Sequence, residues 1–247
     1  MSDIQWNHKN HNHGEALSEE LNKTPIYLNY NSGKHISTNG KELNKNLQKL
    51  IENWPVPVEE VVIIAHSMGG LLTRSALYYA GQNDNKWTKH LKRVVFLGTP
   101  HHGSHLERIG NYLDLLLESV PYLKPFARLG KIRSAGVTDL RYGNLVDEDW
   151  QHSGRFERKG DQRKHIQLPN KIEFFAVAAT TGKESAHASA QILGDSLVDI
   201  KSALGQHKKT AKNLNFKEEN TWIVYENNHL ELLSNPKILD KLKTWLL

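Results

Sequence analysis

Residues 59–72 read Glu59-Glu60-Val61-Val62-Ile63-Ile64-Ala65-His66-Ser67-Met68-Gly69-Gly70-Leu71-Leu72. Four consecutive β-branched residues, Val61 to Ile64, predict a strand buried on both faces, as in the interior of a parallel sheet. The run stops at residues 65–70, and Leu71, Leu72, Ala76, Leu77 and Tyr78 then follow a helical pattern. A strand that passes straight into a helix at a serine is the geometry of a nucleophile elbow, with the hydroxyl on a tight, strained turn. Such a turn asks for small residues two before and two after the serine. Here these are Ala65 and Gly69, alanine standing where the motif more often has glycine. The competing reading is a plain strand–turn–helix with an incidental serine.

Working outward, residues 24–31 predict a short strand closed by a turn at Asn31-Ser32-Gly33. Residues 39–53 predict a helix, with Leu43, Leu47, Leu50 and Ile51 on one face, ended by Trp54-Pro55-Val56-Pro57. The helix after Ser67 is expected over 71–80, with Gly81 at its stop. Residues 91–97 form a second apolar strand that runs into Gly98-Thr99-Pro100-His101-His102-Gly103-Ser104. This alternation implies a mostly parallel α/β sheet with helices on both faces, and ligands at the carboxyl ends of its strands. The sheet resumes at 172–178 and 221–225, and a last helix covers 236–246 with Pro236 in its first turn. The whole chain, 1–247, reads as one domain. Residues 106–168 are longer than a connection needs, and Ile109, Tyr112, Leu113, Leu116, Leu117 and Val120 mark an apolar helical face. They are expected to form a cap or lid whose apolar surface suits an acyl chain.

Bulk composition narrows the classes. Of the 247 residues 38% are hydrophobic and 8% aromatic, enough for a buried core. No run reaches the roughly 20 apolar residues of a membrane span. The chain has no cysteine, which excludes disulfides, a thiolate nucleophile and Cys-zinc sites. A net charge of +5 is modest for this length. Basic residues gather at 155–164 and 208–212 with acidic residues interspersed, and they read as solvated surface, with no nucleic-acid partner. His8, His11 and His13 are candidate metal ligands, but polar surface is preferred because no carboxylate accompanies them. No secretory leader opens the chain, so a cytoplasmic location is expected.

A serine hydroxyl needs an imidazole to take its proton, and the imidazole needs a carboxylate to fix its tautomer. In this sheet class they arrive in the order serine, acid, histidine. His229 is one of 14 histidines, and it is preferred for its place in a short loop between the last strand and the last helix. Asp195 is preferred as the acid, in a turn after the 172–178 strand, with Asp199 as rival. The backbone N–H of Met68 is the expected oxyanion donor.

Taken together, Ala65-His66-Ser67-Met68-Gly69-Gly70, the 97–104 loop, Gly194-Asp195-Ser196-Leu197-Val198 and Asn228-His229-Leu230 give a chain that resembles the lipase and esterase branch of the α/β-hydrolases. It is similar to bacterial triacylglycerol lipases and to the related GPI-inositol-deacylase-like group. The resemblance implies Ser67 as nucleophile, Asp195 as acid and His229 as base, acting on small-molecule or lipid esters. It also implies transient contact of the cap with a lipid surface and no catalytic cofactor. Some such lipases hold a structural calcium, for which no ligands are assignable here. Two departures stand out: Ser196 follows the acid where glycine is usual, and Met1 lies just past the place where relatives carry a strand ending in His-Gly. That strand supplies the second oxyanion donor, so the resemblance implies an N-terminally truncated fold. The rival readings are an impaired scaffold or binding module, and an acyltransferase with the same triad.

Overall fold

A computed structural model describes residues 6–104, 134–151, 163–184, 194–195 and 197–247. Four strands, β1 (Val61–His66), β2 (Leu91–Leu97), β3 (Glu173–Ala179) and β4 (Thr221–Val224), form one sheet in chain order, each parallel to the next. The helices are α1 (His13–Leu21), α2 (Ile36–Asn53), α3 (Met68–Gln82), α4 (Ala135–Tyr142), α5 (Glu148–Gln151), α6 (Ile200–Ala203) and α7 (Pro236–Leu246).

The period-two alternation of β2 and β3 sorts their side chains onto two faces. Val94, Phe96 and Phe174 pack with Leu77, Ala80 and Trp87 on the side of α2 and α3. Val95, Leu97, Phe175 and Val177 pack with Leu17 of α1 and with Ile238, Leu242 and Trp245 of α7. Both faces are therefore covered, as the run of apolar residues in each strand requires. Ile238 and Leu242 are fully buried, each contributing about 2 kcal/mol of transfer free energy. The start of α7 is fixed by Pro236 in its first turn and by the Asn235 side chain, which accepts from Lys237 N. On the other face α2 crosses α3 closely at Gly40, where a Cβ would lie 2.2 Å from Ser75 Oγ.

Three expectations change. Val61 to Ile64 are only half-buried, because β1 is an edge strand among the described residues, pairing with β2 alone. Residues 24–31 form no strand among the described residues. Side chains hold them instead: Leu28 and Tyr30 pack against Leu43, Leu72 and Ala76, and Tyr27 Oη donates to Asn12 Oδ1 at 2.9 Å. Gly81 lies inside α3, which continues to Gln82 and starts directly at Met68.

The expected cap falls largely outside the described residues, including the whole apolar stretch 109–120. Its described parts pack on the body. Leu140, Leu145, Val146 and Ile166 share a cluster with Met68, Leu71, Ala176 and Leu197. Asp139 Oδ2 accepts from Ile36 N at 2.8 Å, and Ser75 Oγ donates to the Leu145 carbonyl at 2.6 Å. No described helix is long and apolar enough to cross a membrane.

Candidate active site

The carboxyl ends of the strands bring the candidate residues to one end of the sheet. Ser67 links β1 to α3 at φ 54° and ψ −124°, outside the negative-φ regions that a non-glycine residue prefers. Such a conformation costs of order 1–3 kcal/mol and persists only where the surroundings impose it. Here Ser67 N donates to the Leu97 carbonyl at 2.9 Å, Gly70 N donates to the Ser67 carbonyl at 3.0 Å, and the residue is 1% exposed. Met68 opens α3, so its N–H belongs to the first turn, where no intrahelical acceptor exists.

The tight position is not the one the motif singles out. A Cβ on Gly69 would meet Ala65 Cβ at 4.0 Å, an ordinary contact. On Gly70 it would lie 2.0 Å from Thr99 Oγ1, so Gly70 is what lets α3 approach the loop leaving β2. In that loop Gly98 has φ 57°, and a Cβ there would sit 2.7 Å from Leu232 Cδ1 and 3.0 Å from His229 Cε1.

Asp195 lies in the turn expected for it. Gly194 precedes it at φ 63°, where a Cβ would come within 2.0 Å of the Val198 carbonyl. Asp195 Oδ1 accepts from Leu197 N at 3.0 Å and from Val198 N at 2.8 Å. Its Oδ2 meets His229 Nδ1 at 2.5 Å, with both side chains buried. Burial raises the Asp195 pKa, but His229 and the two backbone N–H groups outweigh it and hold the carboxyl below the usual aspartate range. An ionised carboxylate only accepts, so His229 Nδ1 carries the proton and donates it. That leaves Nε2 as the basic nitrogen. The rival Asp199 instead stands at the N-cap of α6.

His229 follows β4 in a loop fixed at several points. Asn228 Oδ1 accepts from Leu230 N and Glu231 N, at 3.0 and 3.1 Å. His66, next to Ser67 in the chain, donates from Nε2 to the His229 carbonyl at 3.0 Å, and the two rings lie 4.5 Å apart. Burial and the neighbouring His229 push the His66 pKa down to about 3, so it is neutral near pH 7. The structure thus joins Asp195 to His229 directly, and Ser67 to them through its chain neighbour. His66, Gly70 and Gly98 are the residues that the sequence displayed without a role. Their only signal was their place inside the quoted motifs.

The N-terminal histidines serve packing. His13 is fully buried, donates from Nε2 to the Leu232 carbonyl at 3.0 Å and shares a 2.8 Å hydrogen bond with His11. Burial lowers its pKa to about 4. His8 pairs with Ser234 Oγ at 2.8 Å. No group of three or more potential metal ligands occurs among the described residues.

Comparison with known proteins agrees with this architecture. A family model described as PGAP1-like alpha/beta domain matches residues 5–207. The Bacillus licheniformis lipase BlEst2 in its mature form superposes with a TM-score of 0.58 at 17% identity, covering 100% of this chain and 87% of that one. Its propeptide form gives 0.58 at 16% identity and covers 48% of that longer chain. The esterase RhEst1 from Rhodococcus sp. ECU1013 gives 0.45 at 12% identity, covering 98% and 85%. No curated protein matches the sequence. At such identities the likeness is one of fold.

Proposed function

Because the chain belongs to the PGAP1-like alpha/beta domain family, an α/β-hydrolase fold, we propose that it is a serine hydrolase of carboxylic esters. The observation that carries the reading is the buried 2.5 Å pair of Asp195 and His229, set beside the strained Ser67. In this reading His229 Nε2 takes the Ser67 hydroxyl proton as Oγ attacks the ester carbonyl carbon. The tetrahedral oxyanion accepts from Met68 N–H at the start of α3. Collapse expels the alcohol, which leaves with the proton held by His229, and the acyl group stays on Ser67. A water then loses a proton to His229 and attacks the acyl carbon. The acid departs, and Ser67 recovers its proton. Asp195 stays ionised throughout, fixing the ring and stabilising the imidazolium.

An ester of an apolar acid is the substrate favoured, on the apolar periodicity of residues 109–120. A fluorophosphonate probe tests the nucleophile without a substrate guess. It should label the parent protein and leave Ser67→Ala unlabelled, and p-nitrophenyl esters should be cleaved by the parent alone. Equal rates and equal labelling in both proteins would sink the proposal. Product analysis with added alcohols separates hydrolysis from acyl transfer.

A further inference from the structure

Arg163 and Lys212, one from each of the two basic runs, line a cavity beside a buried guanidinium. Arg74 lies on α3, beyond Ser67, and is 4% exposed. Its two terminal nitrogens donate to the carbonyls of His101 at 3.4 Å and Ile166 at 3.1 Å, while its Nε–H has no partner. Among the described residues no carboxylate pairs with it. Asp149 acts on it from a distance, its own oxygens accepting from the backbone of Leu145, Val146 and Lys164. His101, 1% exposed, turns Nδ1 towards the guanidinium at 3.5 Å. Its ring proton therefore sits on Nε2, a second buried donor with no partner. Two further cationic side chains stand nearby, Arg163 donating to the Gly143 carbonyl and Lys212 to the Arg163 carbonyl, and the imidazoles of His102 and His165, whose pKa burial lowers, flank them. Burial and Arg163 push the Arg74 pKa down to about 9, which leaves it charged at neutral pH.

A buried charge without a counter-charge is costly, and unpaired buried donors add to that cost. A cavity of about 20 Å³ is lined by Arg74, His101, His102, Arg163, His165 and Lys212, among others. It has room for one water-sized particle. We propose that this cavity is a binding site for a small monatomic anion, chloride in kind, which serves as the counter-charge of Arg74. The ion would tie α3 to the loop leaving β2 and to the 163–166 segment. The assignment is independent of the proposed ester chemistry, since it involves none of Ser67, Asp195 and His229.

Thermal unfolding of the full chain in sodium gluconate, with chloride replacing gluconate at constant sodium, tests it. Gluconate is too large for the cavity. Chloride should raise Tm saturably by roughly 3–8 °C in the parent, and Arg74→Met should lose the dependence. The same melting point in both salts, or a full chloride response in Arg74→Met, would overturn the site. Phosphate, also too large, should act no better than gluconate; stabilisation by phosphate in place of chloride would overturn the assignment too. Should Arg74→Met fail to fold, crystals of the parent soaked in bromide decide. An anomalous peak within hydrogen-bonding distance of Arg74 is expected there, and a cavity without one refutes the proposal.

Discussion

The loop leaving β2 approaches His229 of the Asp195–His229 pair at Gly98, and it carries His101 against Arg74. Both clusters are buried, and both centre on an imidazole that the fold holds through backbone hydrogen bonds. They differ in charge. His229 faces a carboxylate that is itself satisfied by two backbone N–H groups, so a proton arriving on the ring finds its counter-charge in place. Arg74 is cationic at neutral pH and meets two carbonyl oxygens and the His101 ring, and no carboxylate among the described residues is bonded to it. The first arrangement suits a charge that comes and goes within a reaction cycle, and the second suits a resident anion. Burial alone therefore does not identify a reactive centre; the placement of the opposite charge does.

Removing that placement should have the largest effect. Asp195→Asn removes the counter-charge of His229 and releases the constraint on its tautomer. Ester turnover should fall about 10⁴-fold in kcat, as when a triad acid is lost. Labelling and turnover by the variant at parent rates would show that the pair is structural only.

Acid should next strain both clusters, because both hold neutral histidines. The pKa of His66 is lowered to about 3 and that of His13 to about 4, while that of His101 falls well below the ordinary value, burial leading in each case. The unfolded chain, with histidines near 6.5, binds more protons at acid pH than the folded one. The stability these groups contribute is complete above about pH 6.5 and is lost as pH falls towards 4. Between pH 7 and pH 5 the loss should be about 2 kcal/mol each for His13 and His66. The depressed pKa of Asp195 acts in the same direction below about pH 4. Urea midpoints across this range check the slope, and a flat profile would contradict the buried neutral state.

The loop that the two clusters share is held against α3 at Gly70. Gly70→Ala should cost about 3 kcal/mol, since its Cβ would overlap the buried Thr99 side chain, and Gly69→Ala should cost less than about 1 kcal/mol. Denaturant unfolding of the two variants measures this directly, and equal costs would refute the assignment of Gly70 as the close-approach residue. The smallest effect is expected at His66, a positioning residue that reaches the reaction only through His229. His66→Phe should lower kcat about tenfold with KM unchanged, and His66→Gln, which keeps a donor towards the His229 carbonyl, should recover most of it. A loss in KM alone, or no difference between the two variants, would assign His66 to packing.

Much of this was legible beforehand, for physical reasons. Strands β2 to β4 and helix α7 announced themselves because continuous apolar runs and a proline in the first turn admit few alternatives. Ser67, Asp195 and His229 could be picked from position, since a parallel sheet sends its strand ends to one place. The misreadings share a cause. The four branched residues of β1 looked doubly covered, yet coverage depends on neighbouring strands, which periodicity does not encode. Residues 24–31 carry strand propensity, but packing of Leu28 and Tyr30 against α2 and α3 holds them, which a local pattern does not encode. The basic run at 208–212 is solvated over residues 208–211, as read, while Lys212 and, from the other run, Arg163 line the cavity beside Arg74, which charge pattern alone does not show. Gly70 was hidden because its constraint comes from Thr99, a residue on another strand's exit loop.

The hydrogen bond from His66 to the His229 carbonyl spans 163 residues of chain. Contacts of such separation form late, because the loop they close carries a large entropy cost. During synthesis the strained serine turn and its helix emerge long before the imidazole that would activate the hydroxyl. A nascent chain thus carries a hydroxyl no more reactive than any other until β4 docks against β3. Competence and completion coincide, so the appearance of probe-reactive Ser67 during refolding would serve as a clock for the last step of assembly.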